Sequence, residues 1–288
     1  MAIAAYRWDP DGPPHSIAQI VHGLGEHALR YRPLAEQLAA RGFVVYSHDH
    51  RGHGATLIEG HEPGVIGKDG WNELVTDVGR MGHLARTAYP SLKLVLVAHS
   101  LGSFASQQLL LKHSFEFDAV ALSGTAALDL LEPALDLDAP LELSLFNGAF
   151  QPARTDFDWL SRDEAEVDAY IADPLCGFGL DVPGVKSLFA GARQLADNAL
   201  VSSMRPDLPI YITVGDKDPV NGQLALVHAL VDRYEKAGLS DVTLKVWEDA
   251  RHEVFNETNR DEVFADLFAW IDQKLGDQLL GRGELHEP

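Results

Sequence analysis

A single cysteine, Cys176, stands among the 288 residues, so no intramolecular disulfide can form and a reducing compartment is expected. Cys176 is also a poor candidate nucleophile. It lies in the irregular stretch Asp173-Pro174-Leu175-Cys176-Gly177, with no histidine near it in sequence. Long apolar runs are missing too. None approaches the roughly 18 residues that a membrane span needs, so stable membrane insertion is not expected. Residues 1–10 lack a basic start followed by an apolar stretch, so a secretory leader is not expected either and a cytoplasmic location is. Basic residues are scarce: Lys+Arg is 23 against 43 Asp+Glu, a net charge of −20. A surface of that sign repels nucleic-acid phosphates and anionic bilayers, and nucleic acid is set aside as a partner.

What is present is ordinary globular material. Hydrophobic residues make up 46% and charged residues 23%, enough for a sizeable core. Short apolar runs read as strands at 17–21, 43–47, 92–98, 117–122, 209–214 and 242–247. Helical patterns fall at 34–41, 71–89, 101–113, 222–237 and 258–275. Continuous apolar strands alternating with helices predict a mostly parallel sheet covered on both faces. Between about 125 and 205 the alternation stops. Pro and Asp recur there, and only short helical patterns remain, at 127–131, 162–171 and 185–198. So long a stretch is too much for a loop, and it predicts an inserted subdomain, with 1–124 and 206–288 forming the main domain. The tail from Gly276 is polar and reads as loose.

In open parallel sheets the reactive residues sit just beyond the carboxyl ends of the strands. The residues in those places are His22, Asp49, Ser100, Asp216 or Asp218, and His252. Ser100 lies in Ala98-His99-Ser100-Leu101-Gly102, between the most strand-like run and a helix. That is the setting of a nucleophile elbow, G-x-S-x-G, with Ala98 in place of the first glycine. A serine hydroxyl needs a base, and His252 follows the last strand. An imidazole base needs a carboxylate. Asp216 and Asp218 both follow the strand at 209–214. Asp216 has the alternative role of closing the turn, and Asp218, held by Pro219, is preferred. The order Ser, Asp, His is that of α/β-hydrolases. The glycines of His22-Gly23-Leu24-Gly25 allow backbone N–H groups to face a neighbouring site. Leu24, with Leu101 after the serine, is the natural oxyanion pair. Asp49-His50-Arg51-Gly52-His53-Gly54 reads as a structured turn held by its own charges. Its histidines lack metal-ligand spacing, and no metal or organic cofactor is implied.

Jointly, His22-Gly23-Leu24-Gly25-Glu26-His27, Asp49-His50-Arg51-Gly52-His53-Gly54, Ala98-His99-Ser100-Leu101-Gly102, Gly215-Asp216-Lys217-Asp218 and Arg251-His252-Glu253-Val254-Phe255-Asn256-Glu257 resemble the monoacylglycerol lipase/lysophospholipase group of α/β-hydrolases, also grouped with serine aminopeptidases. The resemblance implies the α/β-hydrolase fold with a lid, or cap, at 125–205. It implies Ser100, Asp218 and His252 as catalytic triad and the Leu24 and Leu101 N–H groups as oxyanion hole. Ala98 departs from the usual glycine.

The leucines of the insert (128, 130, 131, 135, 137, 141, 143 and 145), with Phe146, suit either an acyl pocket or the insert's own core. The insert carries 14 Asp+Glu against 5 Lys+Arg, a poor surface for anionic lipid, which favours neutral esters. The expected partner is therefore a small acyl ester, cleaved by a carboxylic ester hydrolase. An aminopeptidase, amidase or C–C hydrolase could use the same triad, and an aminopeptidase would need insert carboxylates facing the site. A non-catalytic binding member of the fold is the weakest alternative. Oligomeric state is open, a homodimer included.

Overall fold

The computed structural model describes residues 1–280. Seven strands form one sheet: β1 (Ala5–Trp8), β2 (Ser16–Val21), β3 (Phe43–His48), β4 (Lys93–His99), β5 (Ala119–Ser123), β6 (Ile210–Gly215) and β7 (Val242–Trp247). Their order is β1-β3-β2-β4-β5-β6-β7. Every pairing is parallel except β1 with β3. β2, β5 and β6 are buried along their whole length, as strands covered on both faces must be. β1 was not legible as a strand. It is short, alternates exposed with half-buried residues, and sits on the sheet edge.

Side chains along each strand alternate between two cores. One face gathers Ile17, Val21, Leu94, Leu96, Val120, Leu122, Ile210 and Ile212. The helices α2 (Gly70–Ala88), α3 (Leu101–His113), α5 (Val182–Ala192) and α7 (Ala225–Lys236) supply Leu74, Leu109, Leu188 and Leu230 to that core. The other face gathers Ala18, Ile20, Val95, Val97, Ala119 and Ala121 under Leu34 and Leu38 of α1 (Arg32–Ala40) and Phe264 and Leu267 of α8 (Arg260–Leu280). No helix among the described residues is long and apolar enough to cross a membrane.

Between β5 and β6 the chain leaves the sheet and forms short pieces only: α4 (Glu164–Ala172), α5, α6 (Asn198–Val201) and several 3-10 turns. The helix expected at 127–131 is only the 3-10 turn Leu128–Leu130, because Pro133 follows closely and stops propagation. The helix expected at 185–198 gives way at Arg193 to a 3-10 turn. The tail from Gly276 is not loose at its start. α8 continues through it to Leu280, and positions from 281 lie outside the described residues.

The sheet order places a topological switch between β2 and β4, which are neighbours although the chain runs outward to β3 between them. That is where a crevice opens in such sheets. Gly102 makes the junction close. A Cβ there would lie 2.5 Å from the His22 carbonyl oxygen and 2.6 Å from that of Val21, both backbone atoms that cannot swing away. Gly102→Ala is therefore expected to lower stability by about 1–3 kcal/mol in urea denaturation. Gly148→Ala, with open space around the new methyl, should leave it within about 0.5 kcal/mol. Equal effects of the two would refute the close packing of α3 on β2.

Candidate active site

Ser100 occupies the turn between β4 and α3 with φ 49° and ψ −118°, a left-handed-side conformation that costs a non-glycine residue of order 1–3 kcal/mol. Neighbouring bonds hold the strain. The Ser100 N–H donates to Ser123 O at 2.9 Å, and its carbonyl accepts from Phe104 N–H at 3.0 Å. The neighbouring loop after β2 must approach this turn closely. A Cβ on Gly23 would stand 3.2 Å from Ser100 Cβ and 2.7 Å from Glu26 Oε1, so glycine is needed there. Ala98 is buried in the sheet between Val21 and Leu122, where its methyl is accommodated.

His252 and Asp218 meet across the ends of β6 and β7. His252 Nδ1 donates to Asp218 Oδ2 at 2.9 Å, and both side chains are almost fully buried. The second Asp218 oxygen, Oδ1, accepts from Val220 N–H at 2.8 Å. Asp216 stands apart, pairing with Lys217 at 3.1 Å on the outside of the loop. Burial pulls the His252 pKa down, but the Asp218 carboxylate overcomes this, and the net shift is upward. Ser100 and His252 line one cavity, without a hydrogen bond between them among the described residues. Such looseness is common before substrate arrives.

Leu24 and Leu101 line the same cavity. Leu101 opens α3, so its N–H has no intrahelical acceptor. The Gly23 N–H is taken, donating to Glu26 Oε1 at 2.5 Å, which leaves Leu24 as the next donor of the loop. The remaining lining is largely apolar. Leu128, Leu131, Leu135, Leu141, Leu143 and Phe146 face the cavity, with Trp159 and Leu188. Leu130 and Leu145 are exposed, and Leu137 packs against the core. The cavity holds about 590 Å³ of empty space counted out to its mouth.

Two features of the site were not legible in sequence. The first is a buried ion cluster. The Arg30 guanidinium donates to Glu26 Oε2 at 2.5 Å and to both oxygens of Glu253 at 2.6 and 2.8 Å. Glu26 also accepts from Tyr31 OH at 2.7 Å. The burial of Glu26 raises its pKa; Glu253 is also buried, but Arg30 holds it down at about 2. The second is a set of neutral histidines beneath the loop. His22 Nε2 accepts the His50 N–H at 2.9 Å, so its proton is on Nδ1, donated to Gly23 O at 2.8 Å. His50 Nε2 donates to His22 O at 2.9 Å. Burial lowers the pKa of both rings well below the ordinary value. The turn at 49–54 is thus held both by its own Asp49 carboxylate, which accepts from Ala28 N–H, Ala55 N–H and Tyr6 OH, and by these neutral rings. Arg51 reaches outward to Asp77 on α2, at 2.8 Å.

The sheet order and the strained serine turn at its switch point define an α/β-hydrolase. The sequence profile of the family "Serine aminopeptidase, S33" matches residues 12–259, and the chain belongs to that family. It is 32% identical over 269 residues to a monoacylglycerol lipase of Mycolicibacterium smegmatis, covering 92% of this chain and 90% of the relative. It is 30% identical over 278 residues to the human monoglyceride lipase, covering 93% and 86%. A thermostable carboxyl esterase from Bacillus coagulans, solved in complex with glycerol, superposes with a TM-score of 0.84 at 25% identity over 94% of each chain. A soluble variant of the Saccharomyces cerevisiae monoglyceride lipase shares the fold, with a TM-score of 0.73 at 20% identity over 94% of this chain and 91% of the other.

Two outcomes are expected. Arg30→Met should cost about 3–5 kcal/mol in chemical denaturation, because two buried carboxylates lose their cation; a loss under about 1 kcal/mol would show that the cluster is not held as described. In an NMR titration of the Ser100→Ala protein, His252 should titrate above 6.5, and Asp218→Asn should carry it below 6.5, since burial then acts without its counter-charge. An unmoved His252 would remove Asp218 as its partner. The matching stability term is fully present below pH 6.5 and fades as pH rises through the folded-state pKa.

Proposed function

We propose that the chain is a serine carboxylic ester hydrolase acting on neutral monoacylglycerol-like esters through an acyl-enzyme on Ser100. The observation that carries this reading is the cavity itself, a largely apolar chamber lined by Ser100 and by His252, which is hydrogen-bonded to buried Asp218.

With Nδ1–H committed to Asp218, His252 Nε2 is the base. It takes the Ser100 proton as Oγ bonds to the ester carbon, and Asp218 stabilises the imidazolium that results. The Leu24 and Leu101 N–H groups stabilise the oxyanion. The carbon–oxygen bond then breaks, and His252 returns the proton to the departing alcohol. Water then bonds to the acyl carbon as His252 takes its proton, the Ser100 Oγ–acyl bond breaks to free the acid, and His252 returns the proton to Ser100 Oγ. Residues 125–205 act as the lid. Their inner face supplies the leucines and aromatics of the acyl chamber, and their charges remain outside. The acidic lid favours neutral esters over anionic lysolipids, and the unpaired thiol suits the cytoplasm.

An aminopeptidase reading needs a free carboxylate beside the site to hold the substrate ammonium. None of the insert's 14 acidic residues lines the cavity. The two carboxylates that do, Glu26 and Glu253, are both engaged by Arg30. Esters are therefore preferred over anilides.

Fluorophosphonate labelling and p-nitrophenyl ester turnover should both vanish in Ser100→Ala, with turnover down about 10⁴-fold or more. In the wild type, kcat/KM should fall on acidification with a pKa above 6.5, since the neutral imidazole is the active form. Labelling that survives in Ser100→Ala would place the nucleophile elsewhere.

A further inference from the structure

A second group of reactive side chains lies behind the oxyanion loop, where the insert is fastened to it. We propose that His27 Nε2, the Asp173 carboxylate and Cys176 Sγ bind a divalent cation of the zinc class, and that the ion ties the insert to the loop after β2. None of the three lines the substrate cavity.

The geometry comes first. One ligand atom from each residue lies within 4.8 Å of the others. A tetrahedral ion with bonds of about 2.0–2.3 Å holds its ligands about 3.5 Å apart. Closing the triangle thus requires side-chain shifts of about 1 Å or less. Two of the ligands stand on one rigid turn. The Cys176 N–H donates to Asp173 O at 3.0 Å, and the Leu175 N–H donates to Asp173 Oδ1 at 2.9 Å. Asp173 Oδ2 is left facing His27 Nε2 at 2.9 Å. The turn is itself anchored to the loop that carries His27: Gly177 N–H and Tyr170 OH both donate to Gly25 O, at 2.9 and 2.7 Å. The ligands are thus presented by backbone that is already in place.

The donor set selects the ion. One imidazole, one carboxylate and one thiol suit zinc and its neighbours, whereas magnesium and calcium want oxygen alone. The surroundings favour a cation. Glu26, Glu253 and Asp173 share the neighbourhood with a single guanidinium, Arg30, which is engaged by both glutamates.

Binding is balanced by proton release. The ion takes the Cys176 sulfur as thiolate, and that proton leaves to solvent. The His27 ring, whose Nε2–H faces Asp173, carries its proton on Nδ1 instead so that the Nε2 lone pair bonds the metal. Apparent affinity rises with pH accordingly. A fourth position remains for water.

The test is a cobalt titration of the full-length protein under a non-thiol, non-chelating reductant. One equivalent of Co²⁺ should bring up a thiolate-to-cobalt charge-transfer band, which zinc bleaches stoichiometrically. The band should be lost in Cys176→Ser, and zinc affinity should drop tenfold or more in Asp173→Asn. The Ser100→Ala protein should bind as the wild type does, so failure of the ester-hydrolase reading leaves this result untouched. Zinc should raise Tm in the wild type and not in Cys176→Ser. Absence of the band from correctly folded wild-type protein overturns the site, as does a band and affinity unchanged in Asp173→Asn. A band without any rise in Tm overturns the fastening role.

Discussion

Arg30 is the constraint on which the two halves of the candidate site depend. One half is the loop after β2, which reaches the serine through Gly23 and Leu24. The other is the loop after β7, which carries His252. They are remote in sequence, and each brings a buried carboxylate, Glu26 or Glu253, to the same guanidinium. Burying three charges is costly, and the cluster survives only because every one is paired. Its specificity follows from that cost. If either loop shifted by an ångström, a carboxylate would be stranded in a dry interior. The Gly23 N–H bond to Glu26 then carries the restraint to the residue beside Leu24. Asn256, donating to Glu253 at 2.8 Å, carries it along the other loop.

The strain at Ser100 is held by the same architecture. The turn is sandwiched between β5, through the Ser123 carbonyl, and the loop after β2, through the close approach at Gly23. Beneath that loop the His22 and His50 rings are neutral, and this matters electrostatically. An imidazolium there would compete with His252 for the field of nearby carboxylates. Burial removes that charge and converts the rings into fixed hydrogen-bonding spacers. His99 illustrates the contrast. Its ring lies 4.8 Å from that of His252, yet burial, with His252 as a like-charged neighbour, pushes it well below the ordinary range. Asp218 reverses that direction for His252 alone. Two histidines side by side are thus given opposite tendencies by a single carboxylate.

Much of this was legible in the sequence because the rules involved are local. A strand of uninterrupted apolar residues announces burial on both faces, and β4 and α3 appear at 92–98 and 101–113 almost as the structure has them. The residues at strand ends are likewise found by position, which brings Ser100, Asp218 and His252 to notice. What was not legible is what depends on partners far along the chain. β1 has no apolar signature because it needs only β3 beside it. Arg30 lies 223 positions from Glu253, and no spacing rule connects them. At the turn 49–54 the sequence shows the charges, and Asp49 does hold the turn, but the burial of His50 and His53 is a tertiary fact. In the insert, a 3-10 turn stands in place of the helix expected at 127–131, because Pro133 follows too closely for a helix to propagate.

The insert therefore meets two opposed demands, and its sequence shows how both are satisfied at once. Its outward side carries the acidic residues that give the region its negative charge, such as Asp168, which faces solvent and pairs with Arg154. Its inward side is leucine and aromatic. That division cannot be made by regular amphipathic helices alone, because the chamber wall is curved and must be reached from several directions. Short turns that each deliver one or two side chains are the workable solution. They have little stability of their own. The insert must then be anchored from outside, and the anchors are visible. Arg233 of α7 grips Asp129 with two bonds at 2.9 and 3.0 Å. Arg162 pairs with buried Glu257 at 2.9 Å, and the backbone of Trp159 and Leu160 accepts from the N–H groups of His252 and Glu253. The last anchor has the greatest consequence. It makes the chamber wall and the loop after β7 one hydrogen-bonded unit, so a movement that opens the chamber at Trp159 also acts on His252.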